Sequence, residues 1–126
     1  MDKFNLQIEK VLLGSSMWSK RILVKLLDKG VVEEDFYSSK YRIVFNALVK
    51  CYADKNSTDI LIVSKECAKN GVLASEVTDI YQSGNEGYDI NALINELLDL
   101  RIVRERIRLA DDIRLSLIHI SEPTRH

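Results

Sequence analysis

The feature that most restricts the fold is a long helical pattern near the end of the chain. Residues 89–114 contain no glycine or proline, and Asp89 suits the N-cap of a helix over this run. Apolar residues recur down one side of that helix, at Ile90, Leu93, Ile94, Leu97, Leu98, Ile102 and Val103. A helix this long extends beyond a small domain, so its distal half needs a second helix or another chain to cover Ile107 and Leu109. The run therefore predicts an arm that projects from a helical domain.

Shorter helical patterns occupy the residues before this arm. The clearest begins at Ser38 or Ser39 and predicts the central helix of the core, because apolar and aromatic residues follow the helical repeat at Tyr41, Val44, Phe45, Leu48, Val49 and Tyr52. A first helix, capped by Asn5, is predicted to end at Gly14. A second helix is predicted to start at the serines that follow and to end at Gly30.

Two further helices are predicted between the central helix and the arm. Asp59 caps a run whose β-branched start also suits a strand, but its helical spacing and the Asn-Gly stop favour a helix. A short helix from Ser75 through Tyr81 precedes the polar loop SGNEG. The chain is therefore expected to be all-α, with a small helical head, residues 1–87, and the first long helix of a projecting helical hairpin, residues 88–114. This size suits one domain with a single core.

Charge and cysteine content narrow the range of functions. The chain has 18 Lys and Arg against 19 Asp and Glu, so we expect no direct binding of DNA by this domain. Cys51 and Cys67 lie far apart in the sequence, which favours two buried thiols over a zinc site or a disulfide. Charged residues break every apolar stretch and no signal peptide is present, so a cytoplasmic protein without a membrane contact is expected.

Motifs that carry catalysis are not found in the sequence. No glycine begins the phosphate-binding pattern GxxxxGK[ST], so nucleotide binding by this chain is not expected. The acidic cluster at Glu33, Glu34 and Asp35 is interpreted as a solvated turn that offers its charge to the next helix. The aromatic residues Tyr37, Tyr41, Phe45 and Tyr52 are interpreted as core residues, not as a platform for stacking bases. We therefore assign no catalytic, cofactor-binding or metal-binding residue in this chain.

The arginines of the predicted arm are the remaining functional candidates. Arg101, Arg104, Arg106 and Arg108 crowd a short stretch of the helix surface together with Glu105. This strip suits either contact with a partner protein or an ordinary solvated helix face, and the residues alone leave both readings open.

The last twelve residues, LSLIHISEPTRH, contain the only proline and both histidines, His119 and His126. Written back into codons, Leu115 to Arg125 resembles, in frame, the transposon-end adapter used to prepare shotgun sequencing libraries. We therefore expect residues 115–126 to be an adapter artefact and the gene to be cut short, and we give these residues no weight in predicting the fold. A genuine hydrophobic tail that continues the helix is the alternative.

Four sequence words in order resemble the amino-terminal domain of replicative DNA helicases of the DnaB family: NLQIEKVLLGS, EDFYSSKYRIVFNALVKCY, STDILIVSKECAKNG and RIVRER. The likeness covers nearly all of residues 1–114. Tyr41 stands where the family commonly has histidine, Cys67 stands where it has leucine, and a glycine-rich element is reduced to ASEVTDIYQS. These departures suggest a divergent member from a phage or a bacterium.

The resemblance implies a protein-interaction role. In such helicases this domain is a helical head followed by a hairpin, and hairpins pair between subunits to build the amino-terminal collar of a hexameric ring. The collar also offers a docking surface for the primase, and a helicase loader is a second expected partner. By that implication Leu97, Leu98, Ile102 and Val103 are candidates for hairpin packing, and Arg101, Arg104 and Arg108 for contact with a subunit or the primase.

Catalysis would lie elsewhere in the parent protein. The resemblance implies that ATP and magnesium bind a downstream RecA-like domain, which makes the parent an ATP-dependent helicase while this chain has no activity of its own. Two alternatives remain open: the helicase-binding domain at the carboxyl end of a primase, and a free-standing adaptor or loader that copies the head.

Overall fold

The structure is a computed structural model that describes the backbone of residues 4–121 and the side chains of residues 4–114. Its helices are α1 (Leu6–Trp18), α2 (Lys20–Asp28), α3 (Ser39–Lys55), α4 (Ile60–Ala68), α5 (Ala74–Ser83) and α6 (Ile90–Ser121), with a 3-10 turn at Glu33–Asp35. No strand occurs within residues 4–121. The all-α prediction is confirmed.

The helix starts follow local capping chemistry. The Asn5 side chain accepts hydrogen bonds from the amides of Gln7 and Ile8 at the start of α1. Asp59 caps α4 through the amide of Leu61, so the β-branched start of that run is helical. Asp89 accepts a hydrogen bond from the amide of Ala92 at the start of α6. Each cap satisfies an amide that the first helical turn leaves without a backbone partner.

The predicted end of the first helix at Gly14 is wrong, because α1 continues through this glycine to Trp18. A side chain at Gly14 would collide with the backbone of Ile80 and Gly84, and one at Gly84 would collide with Gly14. Both glycines allow the backbones of α1 and the end of α5 to touch. The short break between α1 and α2 comes instead at Ser19, which is extended.

The core lies between α1, α3 and the inner faces of the surrounding helices. Its fully buried side chains include Leu12, Leu13, Leu23, Leu26, Phe36, Val44, Leu48, Val63, Ile80, Ile94 and Leu97. The central role predicted for the third helix agrees with its buried Tyr41, Phe45 and Leu48. The prediction that Tyr37 belongs to the core is wrong. Its side chain is exposed and stacks on Phe4, with ring centroids 3.9 Å apart.

Residues 115–126 carry the adapter-like sequence and the two histidines. The backbone of α6 continues through Ser121. Residues 122–126, which include Pro123 and His126, lie outside the residues that the structure describes, so the adapter interpretation is not tested there. The side chains from Leu115 onward, including that of His119, also lie outside them. Across the helices that are described, none is both long and apolar enough to cross a bilayer.

Candidate protein-interaction surface

The two halves of α6 have different surroundings. Ile90, Ile94, Leu97 and Leu100 are buried against the head. Beyond Leu100, no residue of α6 up to Arg114 is buried. The helix therefore enters the core over its first three turns and leaves it as an arm, which is the geometry that its length and sequence pattern predict.

The predicted hairpin-packing residues are split by this change of surroundings. Leu97 has no exposed surface and belongs to the core of the head, so its assignment to packing with another helix is corrected. Leu98 is partly buried at the edge of the same core, and Val103 is half-buried. Ile102 is 45% exposed. The sequence grouped these residues on one broad apolar side, whereas the head covers only part of that side.

An apolar stripe runs along the uncovered side of the arm. At 3.6 residues per turn, Leu98, Leu109 and Ile113 lie within about 40° of Ile102 around the helix axis. Leu109 is 60% exposed and Ile113 is 52% exposed. We call these four residues the outer stripe. Aliphatic side chains that are aligned at helical spacing and not fully covered by the head make this side of the arm a candidate interaction surface.

The predicted arginines lie on a different side of α6. Arg101, Arg104 and Arg108 fall within about 40° of Leu97 around the axis, so they continue the side that faces the head. The Arg101 guanidinium donates from Nε to Asp35 Oδ1 and from Nη2 to Asp35 Oδ2, each at 2.5 Å. Nη2 also donates to the carbonyl of Gly30 at 2.8 Å. This bidentate arrangement is the most directional ion pair that side chains form.

Arg104 and Arg108 extend the contact in steps. Arg104 donates to the carbonyls of Glu34 and Asp35, both at 3.3 Å. Arg108 is exposed and forms no ion pair with any side chain that the structure describes. The three arginines line a shallow cleft of about 170 Å³ with Glu34 and Glu105. Their contact with another chain stays a prediction, while Arg101 and Arg104 have a clear role within this chain.

These contacts hold the connecting segment, which we define as residues 30–38 between α2 and α3. Because it is mostly irregular, its backbone groups need partners other than a helical ladder. Glu9 of α1 accepts hydrogen bonds from the amide of Tyr37 at 3.0 and 3.1 Å. Arg42 of α3 donates to the carbonyl of Phe36 at 2.7 Å. The Asp35 carboxylate accepts from the amide of Val32 at 2.8 Å. Charged side chains thus supply hydrogen-bond partners for the backbone groups of the connecting segment.

The interpretation of the acidic cluster as a solvated turn is wrong for one of its members. Asp35 is 0% exposed, while Glu33 and Glu34 remain at the surface. Burial is tolerated because the carboxylate has a guanidinium partner and a backbone amide. Sequence reasoning also missed Glu9, which is fully buried. One signal was present: Arg101 follows the core residue Leu97 by one helical turn, so it had to face the head.

The ionisation of this region reflects its burial. Loss of water raises the pKa of the Glu9 carboxyl group, against the opposing effect of the amides of Tyr37 and Ser38 and the positive charges of Arg104 and Arg42. The hydrogen bonds to Asp35 raise the pKa of Arg101, so its charge is secure at any physiological pH. Over the part of the chain that the structure describes, no group of three His, Cys, Asp or Glu residues converges as metal ligands would.

Comparison with known families finds a match over most of the chain. The profile described as the DnaB-like helicase N terminal domain matches residues 1–108, which include the whole head and the start of the arm. A comparison with curated proteins finds no match.

Proposed function

The chain belongs to the family of DnaB-like helicase N-terminal domains, and from this premise we propose that it is the non-catalytic assembly module of a replicative helicase. In this proposal α6 is the first arm of a hairpin that pairs with another subunit. Repeated pairing builds the amino-terminal collar of a hexameric ring in the cytoplasm.

The outer stripe is the observation that carries this proposal. Leu98, Ile102, Leu109 and Ile113 share one side of α6, and the head covers none of them fully. An isolated amphipathic arm in water gains little from helix propensity, since most helical stability comes from packing of the apolar face. A second helix on this stripe would remove the exposed apolar area from water and stabilise both partners. Self-association is therefore the role that best fits the arm.

Docking of the primase and of a helicase loader is a second part of the proposal. The arginine side of the arm offers exposed positive charge at Arg108, beside Glu105. Arginine is enriched in protein interfaces because its planar group forms several hydrogen bonds at once. We assign Arg108 to partner contact before Arg101 and Arg104, whose donors already bind the connecting segment.

Catalysis is proposed to reside outside this chain. ATP and magnesium would bind a downstream domain of the parent helicase, with no residue of the head taking part in hydrolysis. We expect the purified chain neither to hydrolyse ATP nor to unwind DNA. Reproducible activity in either assay, unchanged after a further purification step, would overturn this division of roles.

Sedimentation equilibrium of the purified chain tests the assembly role. Its monomer mass is 14.4 kDa, and we expect the average mass to rise above this value with concentration. Association should remain incomplete, because residues 88–114 supply only one arm of the hairpin. The substitutions Ile102→Asp and Leu109→Asp, which place a charge on the outer stripe, should return the protein to a monomer.

A matched control separates a specific effect from a general loss of surface hydrophobicity. Leu61 on α4 is 79% exposed and lies outside the arm, so Leu61→Asp should leave association unchanged. A monomer at every concentration, or equal loss of association in the Leu61 variant, would contradict pairing through the stripe. A stable hexamer of this chain alone would contradict the single-arm account. The alternative of a free-standing adaptor predicts binding to a separate helicase ring without self-association.

A further inference from the structure

One ion pair sits where the head ends and the arm begins. Asp35 is buried in the connecting segment, and Arg101 reaches it from α6 across 66 residues of sequence. Both carboxylate oxygens are engaged by the guanidinium, and one of them also accepts the Val32 amide. The pair is therefore built into the head on one side and into the arm on the other.

Its place along α6 distinguishes this pair from the apolar contacts before it. Ile94, Leu97 and Leu100 hold the helix through non-directional packing. Arg101 follows directly, and Arg104 adds contacts with the same segment one turn later. No residue between Arg101 and Arg114 is buried. Among the hydrogen bonds and ion pairs of the described residues, those of Arg101 and Arg104 are the last along α6 that reach the head, and a bidentate ion pair fixes orientation as well as distance.

The connecting segment is itself braced from two other helices. Glu9 on α1 holds the Tyr37 amide, and Arg42 on α3 holds the Phe36 carbonyl. A tilt of α6 would therefore strain the contacts of Arg101, because these two braces oppose movement of the segment with the arm. The connecting segment thus links α1 and α3 to α6 through side-chain contacts.

We propose that the Asp35–Arg101 ion pair is a positioning device that sets the direction in which the arm leaves the head. The inference goes beyond ring assembly and holds whether or not the arm pairs with another subunit. It assigns to Asp35 and Arg101 control of where the outer stripe is presented. Loss of the pair would leave α6 helical and attached to the core, but free to tilt about its buried first turns.

The distance between two spin labels, one on the head and one on the arm, tests this proposal. Ala53→Cys on α3 and Asp112→Cys on α6 place labels at exposed sites. Asp112 lies about 17 Å beyond Arg101 along the helix, so a tilt of about 20° moves it by about 6 Å. The native thiols are poor targets for the label, because Cys51 and Cys67 are buried and burial raises the pKa of Cys67 to about 12. Dilution with unlabelled protein removes distances between molecules.

Three variants separate direction from stability. Arg101→Lys keeps the charge but loses the planar fork, and it should broaden the distance distribution while the protein stays folded. Asp35→Asn should broaden or shift the distribution of label distances further. The double variant Asp35→Asn with Arg101→Gln leaves no unpaired buried charge, so its melting temperature should lie above that of Arg101→Gln alone. Its distance distribution should nevertheless remain broad.

A second ion pair in the head provides the control. Lys10 and Asp79 join α1 and α5 at 2.7 Å without touching α6, so Asp79→Asn should leave the distance unchanged. The proposal is overturned if the distribution in folded Arg101→Lys equals that of the unsubstituted protein. It is also overturned if the distribution narrows in the double variant together with the recovery of the melting temperature, since the pair would then be a stability contact only.

Discussion

The first and second halves of α6 obey the same helical repeat but meet different surroundings. Ile94 and Leu97 point into the head and are fully buried, whereas Ile102, Leu109 and Ile113 point away from it and stay exposed. Arg101 stands at the change, with its guanidinium against the buried Asp35. The difference shows that apolar spacing identifies the face of a helix that is suited to burial. Which element packs on that face depends on the neighbours that the tertiary structure places beside it.

The largest expected effect comes from the buried half. Leu97→Ala removes a fully buried side chain and leaves a cavity among tightly packed neighbours. We expect the free energy of unfolding to fall by about 2–5 kcal/mol, measured by urea denaturation followed by circular dichroism. A loss as small as that of an exposed residue would show that α6 is not anchored in the head.

The junction should give the next largest effect. Arg101→Gln leaves the buried Asp35 carboxylate with only the Val32 amide, and we expect the free energy of unfolding to fall by about 1–3 kcal/mol. Lys10→Gln, which breaks the partly exposed pair with Asp79, should cost about 0–1 kcal/mol in the same denaturation experiment. Equal costs for the two variants would argue that burial of Asp35 adds nothing to its pairing.

Glu9 ties the connecting segment to α1 and should make stability depend on pH. Its pKa is raised in the folded protein, so above the ordinary value of 4.5 the unfolded state loses this proton first. The stability that Glu9 contributes is therefore fully present below that value and falls as pH rises through the raised folded pKa. Denaturation of the unsubstituted protein and of Glu9→Gln, from below pH 4.5 to neutrality, should show their difference declining across this window. A constant or rising difference would contradict burial as the dominant cause.

The smallest effect on stability is expected in the exposed half. Ile102→Ala should change the free energy of unfolding by no more than about 0.5 kcal/mol, since the residue is already 45% exposed and lies outside the core. The same substitution should weaken self-association in sedimentation experiments. Leu97→Ala should therefore act mainly on the stability of the fold, and Ile102→Ala mainly on self-association. If both substitutions destabilised the monomer equally, the two halves of α6 would not differ as described.

Local rules accounted for most of the helices. Asn5, Asp59 and Asp89 cap helices as predicted, because a side-chain oxygen needs only the amides two or three residues ahead. The prediction for Gly14 was wrong because it used only local information. A glycine suits a helix end locally, but its use here is to admit the backbones of Ile80 and Gly84, which are distant in sequence. The sequence pattern predicted the candidate surface only in part, since it could not show that Leu97 faces the core and Ile102 faces the solvent.

The sequence by itself determined the helical class, the positions of most helices and the need of a long arm for cover, because periodicity and capping act within one or two turns. The family likeness was also readable from ordered words such as EDFY and RIVRER. Only the tertiary structure decided that Asp35 is buried, that Arg101 pairs with it, and that Ile102, Leu109 and Ile113 of the outer stripe stay exposed. These outcomes depend on which surfaces meet across the head, and no local energy term contains that information.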